Sequence, residues 1–476
     1  MEKYARYYGF TEKNAYAKAS EAIEFFRRNA ERFYAKVPIK ISPKYRFLVF
    51  IHGVKRYKPR IVDGIFGEKL EGKGAVLIEG AKWCGKTTTA SRLAKSILYM
   101  QEPERVRQNI ELAELKPSKL LEGEVPRLID EWQLAPKLWD AIRFEVDQRD
   151  AFGQFILTGS SVPPDTSNIY HSGVGRITKL LMRPMSLFES GESNGSVSLR
   201  QLFESKPVDG CADIDIDQAA FLICRGGWPK VLDCSEKVAL AQAFDYYTAV
   251  VNTDVSKVDG VERNPERVEH LMRSYARAVA SQTNLRSIGQ DLAGHELKTL
   301  SDDTVAAYIS ALKRIFVIEE ATAWNPNLRS KTAIRTTHTR YFTDPSIATA
   351  ALGLGSQDLI QNLHTMGLFF ENLCIRDLRV YAESLNGTVY HYRDKNGLEC
   401  DAVVHLRNGR YGLVEIKLGG DKAIAEGAET LNKLSAQIDT SVMKPPAFKM
   451  ILTASGNIAY TRKDGIHIVP VGCLRD

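Results

Sequence analysis

The spacing of apolar residues changes period several times along the 476-residue chain. Between residues 15 and 37, Ala19, Ile23, Phe26, Ala30 and Phe33 recur at helical spacing and give one sticky face. That face predicts either packing on the next domain or a partner-binding helix. From residue 75 to about 190, short apolar runs alternate with helical stretches. Runs at 75–78, 127–129 and 154–157 each end in a polar residue, as strands of a ligand-binding parallel sheet do. Residues 87–98 read as a helix with a full apolar face, and 191–220, rich in Gly, Ser and acids, as a surface connection or an insertion. Residues 218–320 read as mainly helical. Within them a short helix at 284–293, a turn, and a helix at 305–315 capped by Ser301 or Asp302 outline a helix-turn-helix. Residues 317–341 alternate like a hairpin wing. The rest is mixed: a helix near 367–380, strands near 389–392, 400–405 and 412–417, a helix near 423–434 and a final strand near 448–452.

Composition narrows the class. With 44% apolar and 26% charged residues the chain is globular, and its length calls for two to four domains. A net charge of +6 is compatible with nucleic acid without arguing for it. Seven scattered cysteines show neither a C-x-x-C pair nor zinc spacing, which fits a reducing cytoplasm. No apolar leader opens the chain and no run is long enough to span a bilayer, so a cytoplasmic protein without membrane contact is expected.

One motif names a ligand. Gly80, Ala81, Lys82, Trp83, Cys84, Gly85, Lys86 and Thr87 match G-x-x-x-x-G-K-[ST], the phosphate-binding loop, between a strand and a helix that continues through Thr88. Its glycines let backbone N–H groups wrap phosphates at the positive end of the helix. Lys86 would reach the β- and γ-phosphates of ATP, and the Thr87 hydroxyl would ligate Mg2+. Hydrolysis needs a second carboxylate and a group that activates water. The run at 125–129 ends in Asp130, suited to Mg2+, and Glu131, suited to a general base. Thr158, at the end of the next strand, is placed to sense the γ-phosphate. Arg176, after a Gly-rich turn, can neutralise transition-state charge in its own subunit or across an interface of a homo-oligomer.

Two further features carry chemistry. Asp401 on one strand, with Glu415 and Lys417 on the next, has the shape of a PD-(D/E)-x-K nuclease, and Glu371 on a helix could complete a Mg2+ site. The alternative is a folded relic in which Glu415 and Lys417 form an ion pair. Arg329, Lys331, Arg335 and Arg340 cluster with no acid among them, which suits either DNA phosphates or a protein contact.

Together these segments resemble a large prokaryotic family of AAA-like ATPases. The resemblance rests on 80–87, on Leu128-Ile-Asp130-Glu131-Trp-Gln133, on Leu157-Thr-Gly-Ser160 and on Gly175-Arg176 followed by Met182-Arg-Pro-Met-Ser-Leu-Phe-Glu189. It extends to Arg225-Gly-Gly-Trp-Pro229, Phe342-Thr-Asp-Pro-Ser346 and Gly367-Leu-Phe-Phe-Glu371-Asn. Gly-Val-Gly-Arg stands where the family has Ser-Gly-Arg. The resemblance implies an α/β chain: a helical extension at 1–56, a P-loop domain at 57–217, a helical and winged-helix region at 218–340, and a restriction-endonuclease-like domain at 341–476. The expected function is a Mg2+-dependent ATPase that works as a switch or motor on its C-terminal module. The alternatives are an ATP-regulated nuclease on DNA or RNA, and a nucleotide-sensing scaffold with a protein partner at the winged helix or N-terminal helix.

Overall fold

The computed structural model describes residues 57–161, 173–257, 261, 263–293, 301–325 and 337–476. The helix expected at 15–37 and the basic residues Arg329, Lys331 and Arg335 lie outside the described residues.

The first layer system is a five-stranded parallel sheet. In chain order its surroundings are α1 (Val62–Gly72), β1 (Ala75–Glu79), α2 (Lys86–Ser91), β2 (Ser96–Tyr99), α3 (Val106–Leu115), β3 (Arg127–Asp130), α4 (Leu138–Arg149), β4 (Phe155–Gly159) and β5 (Ile177–Leu181). The strand order is β2-β3-β4-β1-β5, so β4 lies between the strand before the P-loop and the strand that ends in Asp130. Side chains alternate across the sheet. Val76, Ile78, Leu128 and Ile156 pack with Phe66 of α1 and Ala90 of α2. Leu77, Ile129 and Leu157 pack with Ala113 of α3 and with Leu138 and Ile142 of α4 on the other face. Both faces being covered, β1 and β4 are apolar up to the polar residues at their carboxyl ends, Glu79 and Thr158.

Two expectations change here. The helix after the P-loop stops at Ser91, and Ser96–Tyr99 is a strand paired in register with β3, Tyr99 opposite Asp130. Three consecutive β-branched threonines open this helix, which is too short to hold by propensity alone, and pairing with β3 takes the downstream segment. The segment 191–220 is more than a surface connection. Its β6 (Val197–Ser198) pairs with the last strand of the chain, and β7 (Gly210–Cys211) joins the edge of the C-terminal sheet. Phe203 between them packs edge-on to Phe448 at 5.0 Å.

Helices fill the middle: α5 (Ile216–Arg225), α6 (Glu236–Ala249), α7 (Pro265–Arg277), α8 (Leu285–Ala293) and α9 (Asp302–Arg314). Ser301 caps α9 by accepting from the Thr304 amide at 3.2 Å. Isolated antiparallel bridges, Ile318 with Phe342 and Ala321 with Thr339, follow where the wing is expected. The apolar α10 (Pro345–Leu352) and long α11 (Leu363–Ser384) run beneath.

The second sheet has seven strands in the order β7-β12-β13-β11-β10-β9-β8. They are β8 (Gly387–Arg393), β9 (Glu399–Leu406), β10 (Tyr411–Lys417), then, after α12 (Asp421–Gln437), β11 (Phe448–Thr453), β12 (Ile458–Thr461) and β13 (Ile466–Pro470). The short β14 (Leu474–Arg475) ends the chain beside β6, so β11 is not the final strand. Val414, Ile416, Met450 and Leu452 join the core shared with α11, while Leu413 and Ile451 join α12 on the opposite face.

One core cluster runs from Ala81 of the P-loop through the middle helices to Leu474. At its centre Asp344 is fully buried. Its Oδ2 accepts from Arg376 Nη1 at 2.8 Å and from the Gly227 amide at 2.9 Å, and its Oδ1 accepts from the Ser346 hydroxyl at 2.6 Å. Asp344→Ala would leave the Arg376 charge one partner short in the core, so a loss of about 3–5 kcal/mol is expected. Urea unfolding, read as a drop in midpoint at unchanged slope, measures it. Among the described residues no helix is long and apolar enough to cross a membrane.

Candidate nucleotide site and acidic pocket

The P-loop leaves the carboxyl end of β1 and turns at Gly80, whose φ of 154° places a Cβ against the Met182 carbonyl oxygen. Glycine is required there on steric grounds. Ala81, Cys84 and Lys86 are buried; Lys82, Trp83 and Thr88 are exposed. Lys86 Nζ donates to the Gly80 and Ala81 carbonyls at 2.9 and 2.8 Å, inside the concavity that backbone amides would offer to phosphate. Arg60 braces the loop from outside. Its Nη1 donates to the Cys84 carbonyl at 2.8 Å, while its Nε pairs with buried Glu189 at 3.0 Å.

Asp130 is the meeting point. Its Oδ1 accepts from the Thr87 hydroxyl at 2.7 Å and from the Thr158 hydroxyl at 2.5 Å, and its Oδ2 accepts from Gln101 Nε2 at 2.8 Å. Strand register explains the contact, since Asp130 lies opposite Thr158 on β4. The adjacent Glu131 has a left-handed backbone (φ 58°), and its Oε2 accepts from Ser160 at 3.1 Å and from Gln133. A hydroxyl and a carboxylate oxygen side by side at the mouth of a phosphate loop fit Mg2+, which keeps water and phosphate in its other positions.

Arg176 does not join this group. It precedes β5, whose first residue pairs with Ala75 at the start of β1. The P-loop begins at the far end of β1, about 16 Å of strand away. Arg176 instead donates to Asp147 Oδ1 of α4 at 2.7 Å, on the exposed amino-terminal edge of the sheet. The motif spacing carried no information about which edge it would occupy.

The C-terminal residues converge from two layers. Lys417 Nζ lies 2.7 Å from Glu415 Oε2 and 3.3 Å from Asp401 Oδ2, and the Ile416 amide donates to that Asp401 oxygen at 2.7 Å. Gly427 of α12 covers the pair: a Cβ there would lie 3.5 Å from both the Glu415 Cβ and the Lys417 Cε. Glu371 comes from α11 and accepts from the Tyr341 hydroxyl at 2.5 Å. Burial first, then the Asp401 charge, hold the Glu371 carboxyl well above its usual range and push Glu415 up to about 8. Burial opposes the charge on Lys417, but Asp401 and Glu415 outweigh it and raise its pKa. One ammonium thus serves several carboxylates, and the pocket keeps a proton at neutral pH.

The expected three-carboxylate cage for Mg2+ is therefore corrected. Among the described residues no group of three or more His, Cys, Asp or Glu side chains is placed to hold a metal ion. Lys417 sits between Asp401 and Glu415, and Tyr341 engages Glu371. These residues as they stand do not fit the cation. Glu415 Oε1 is buried with no hydrogen-bond partner.

Comparison with known families agrees with the nucleotide site. Residues 72–190 match the AAA domain. The chain carries an AAA-like P-loop ATPase domain. Residues 216–358 match a domain of unknown function, DUF8612, and residues 366–474 another, DUF4143. The Walker-type ATPase paby2304 of Pyrococcus abyssi aligns over 61% of this chain and 94% of its own, at 16% identity and a TM-score of 0.39, too loose a likeness to carry an argument. No curated protein matches. Sequence reasoning missed Gln101, Arg60 and Tyr341 as partners of the site residues. None belongs to a motif, and Arg60 meets Glu189 across 129 positions of sequence.

Glu415 gives a pH prediction. A carboxyl with a raised folded pKa keeps its proton longer in the folded state, so its contribution to stability falls as pH climbs from about 4.5 toward about 8. Glu415→Gln should match wild type at about pH 5 and exceed it at about pH 8.5 in urea midpoint. An equal gap at both pH values would refute the assignment.

Proposed function

We propose that this protein binds ATP with Mg2+ and hydrolyses it, acting as a switch or motor on its C-terminal module. The observation that carries the reading is the convergence of the Thr87 and Thr158 hydroxyls on Asp130, beside Glu131 and at the mouth of the P-loop. In this reading the loop amides hold the phosphates. Lys86 exchanges the Gly80 and Ala81 carbonyls for phosphate oxygens, a charge-assisted bond. Thr87 and Asp130 would hold Mg2+, which neutralises charge on the β- and γ-phosphates when bound. Glu131, oriented by Ser160 and Gln133, takes a proton from water as the water oxygen bonds to the γ-phosphorus. The bond to the β-phosphate oxygen breaks, leaving ADP and phosphate.

Arg176 enters this scheme only across an interface. On its exposed sheet edge Arg176 holds Asp147, and a second copy placing its P-loop edge there would receive the guanidinium. For the middle region we favour a protein contact over DNA. The exposed positions of α9, where base-reading or phosphate-binding side chains would be needed, are Asp302, Asp303, Ala307, Ser310 and Lys313, and the one base among them, Lys313, is paired with Glu320 at 2.6 Å. A restriction-endonuclease-like fold for 341–476 rests on the placement of Asp401 beside Glu415 and Lys417. Metal-dependent cleavage is not part of the proposal, because the pocket does not fit the cation.

Lys86→Ala should weaken ATP binding by roughly 10- to 100-fold, the loss of one charged hydrogen-bonding partner. Glu131→Gln should bind ATP normally and lose about 100-fold or more in turnover. Equal turnover in wild type and Glu131→Gln would remove Glu131 as the base. Arg176→Ala should depress turnover more than affinity, and mixing it with Lys86→Ala should restore activity. A monomer with no rescue on mixing would rule out action across subunits.

A further inference from the structure

A phosphate loop needs backbone N–H groups, not side chains, at its variable positions. Here two of those side chains are tied to the middle region. Lys82 Nζ donates to Asp254 Oδ1 at 2.5 Å. Asp254 is nine-tenths buried at the end of a π turn, Val250–Asp254, that continues α6. Such turns interrupt helices at a cost and are frequent at functional sites. Trp83 holds a left-handed backbone (φ 66°), unfavourable for a bulky residue, and sets its ring edge on Tyr246 at 5.5 Å. Neither contact is explained by the motif.

Behind them the contacts continue without a gap. Tyr246 stacks on Trp228 at 4.5 Å, with the rings 29° apart. The Trp228 indole N–H donates to the Ser346 hydroxyl at 3.0 Å, and that hydroxyl donates to Asp344, the buried partner of Arg376. Arg376 lies on α11 little more than a turn beyond Glu371 of the acidic pocket. Each of these groups is buried and has a fixed partner, so displacement at one end is poorly absorbed along the way.

We infer that the middle region reads the nucleotide state: Asp254 and Tyr246 position the P-loop through Lys82 and Trp83, and the Tyr246–Trp228 stack passes the state of the loop to α11. The inference rests on the proposed nucleotide binding and adds what that binding controls. When the loop amides close on phosphate, the backbone at Lys82 and Trp83 must follow, because those residues supply the amides. The two anchors then pull on the π turn and on the stack. By linkage, altering the anchors must alter nucleotide affinity in turn.

Hydrogen exchange on the full chain, with and without a non-hydrolysable ATP analogue and Mg2+, tests this. In wild type the analogue should slow exchange in the P-loop, in the π turn and in α11. In Tyr246→Leu, and in Trp228→Phe, which keeps a stacking ring but loses the N–H, the P-loop response should remain and the α11 response should vanish. Lys82→Met and Asp254→Asn should each weaken analogue binding by about fivefold or more, and the double variant no further than the weaker single. Binding and P-loop protection without any change in α11 of wild type would overturn the inference and leave the ATPase reading standing. So would an α11 response that survives in both stack variants, or additive effects of Lys82→Met and Asp254→Asn. No analogue binding at all would overturn the ATPase reading itself, and this inference with it.

Discussion

Asp344 is the point on which three parts of the chain depend. A carboxylate without solvent is tolerated only when its oxygens are filled, and here they are filled from three directions. Gly227 arrives from the turn after α5, Ser346 from the start of α10, and Arg376 from the middle of α11. The turn can come this close because Gly227 has no side chain: a Cβ there would stand 2.2 Å from the Met185 carbonyl oxygen. Met185 follows β5 of the ATPase sheet by a few residues. The buried charge therefore fixes the distance between the nucleotide domain and the helix that carries Glu371. Such a pair adds little net stability over a well-packed apolar core, but it tolerates few alternative arrangements.

The local chemistry of the P-loop domain was legible because each motif is contiguous. Gly80 to Thr87 and Asp130–Glu131 declare themselves by spacing, and the apolar runs before them place both at carboxyl ends of strands. What joins them was not legible. That Thr87 and Thr158 meet on a single oxygen of Asp130 follows from the order of strands, which one sequence does not state. The helix extended to residue 98 failed because Ser96–Tyr99 has a strand partner in β3 that no local window contains. The segment at 191–220 was misread for the same reason. Its Gly- and Ser-rich stretches look like a loop, yet its short strands pair with residues more than two hundred positions away.

The C-terminal pocket shows the complementary case. Alternation along a strand puts Glu415 and Lys417 on one face, and the structure has them in contact at 2.7 Å. Residue types alone suggested a metal cage. The balance of charge decides otherwise: burial makes each additional carboxylate costly, one lysine cannot neutralise three, and the remainder is met by a proton and by the Tyr341 hydroxyl. Tyr341 precedes the Phe342-Thr-Asp-Pro-Ser346 motif that supplies Asp344. The segment that fills Glu371 is thus the segment that anchors the hub.

This arrangement bears on how a nucleotide could act at a distance. Glu371 and Arg376 are on one helix, and the segment 341–346 touches both, through Tyr341 at one end and Asp344 at the other. A rigid shift of that segment along α11 would alter both contacts together. The stack from Trp83 through Tyr246 and Trp228 ends on Ser346, inside the same segment. A displacement of the P-loop therefore has a direct mechanical route to the Tyr341 hydroxyl that donates to Glu371. Burial raises the Glu371 pKa, and the hydrogen bond donated by Tyr341 from that stretch works against it. The nucleotide site and the acidic pocket are thus joined by one continuous series of packed and hydrogen-bonded side chains.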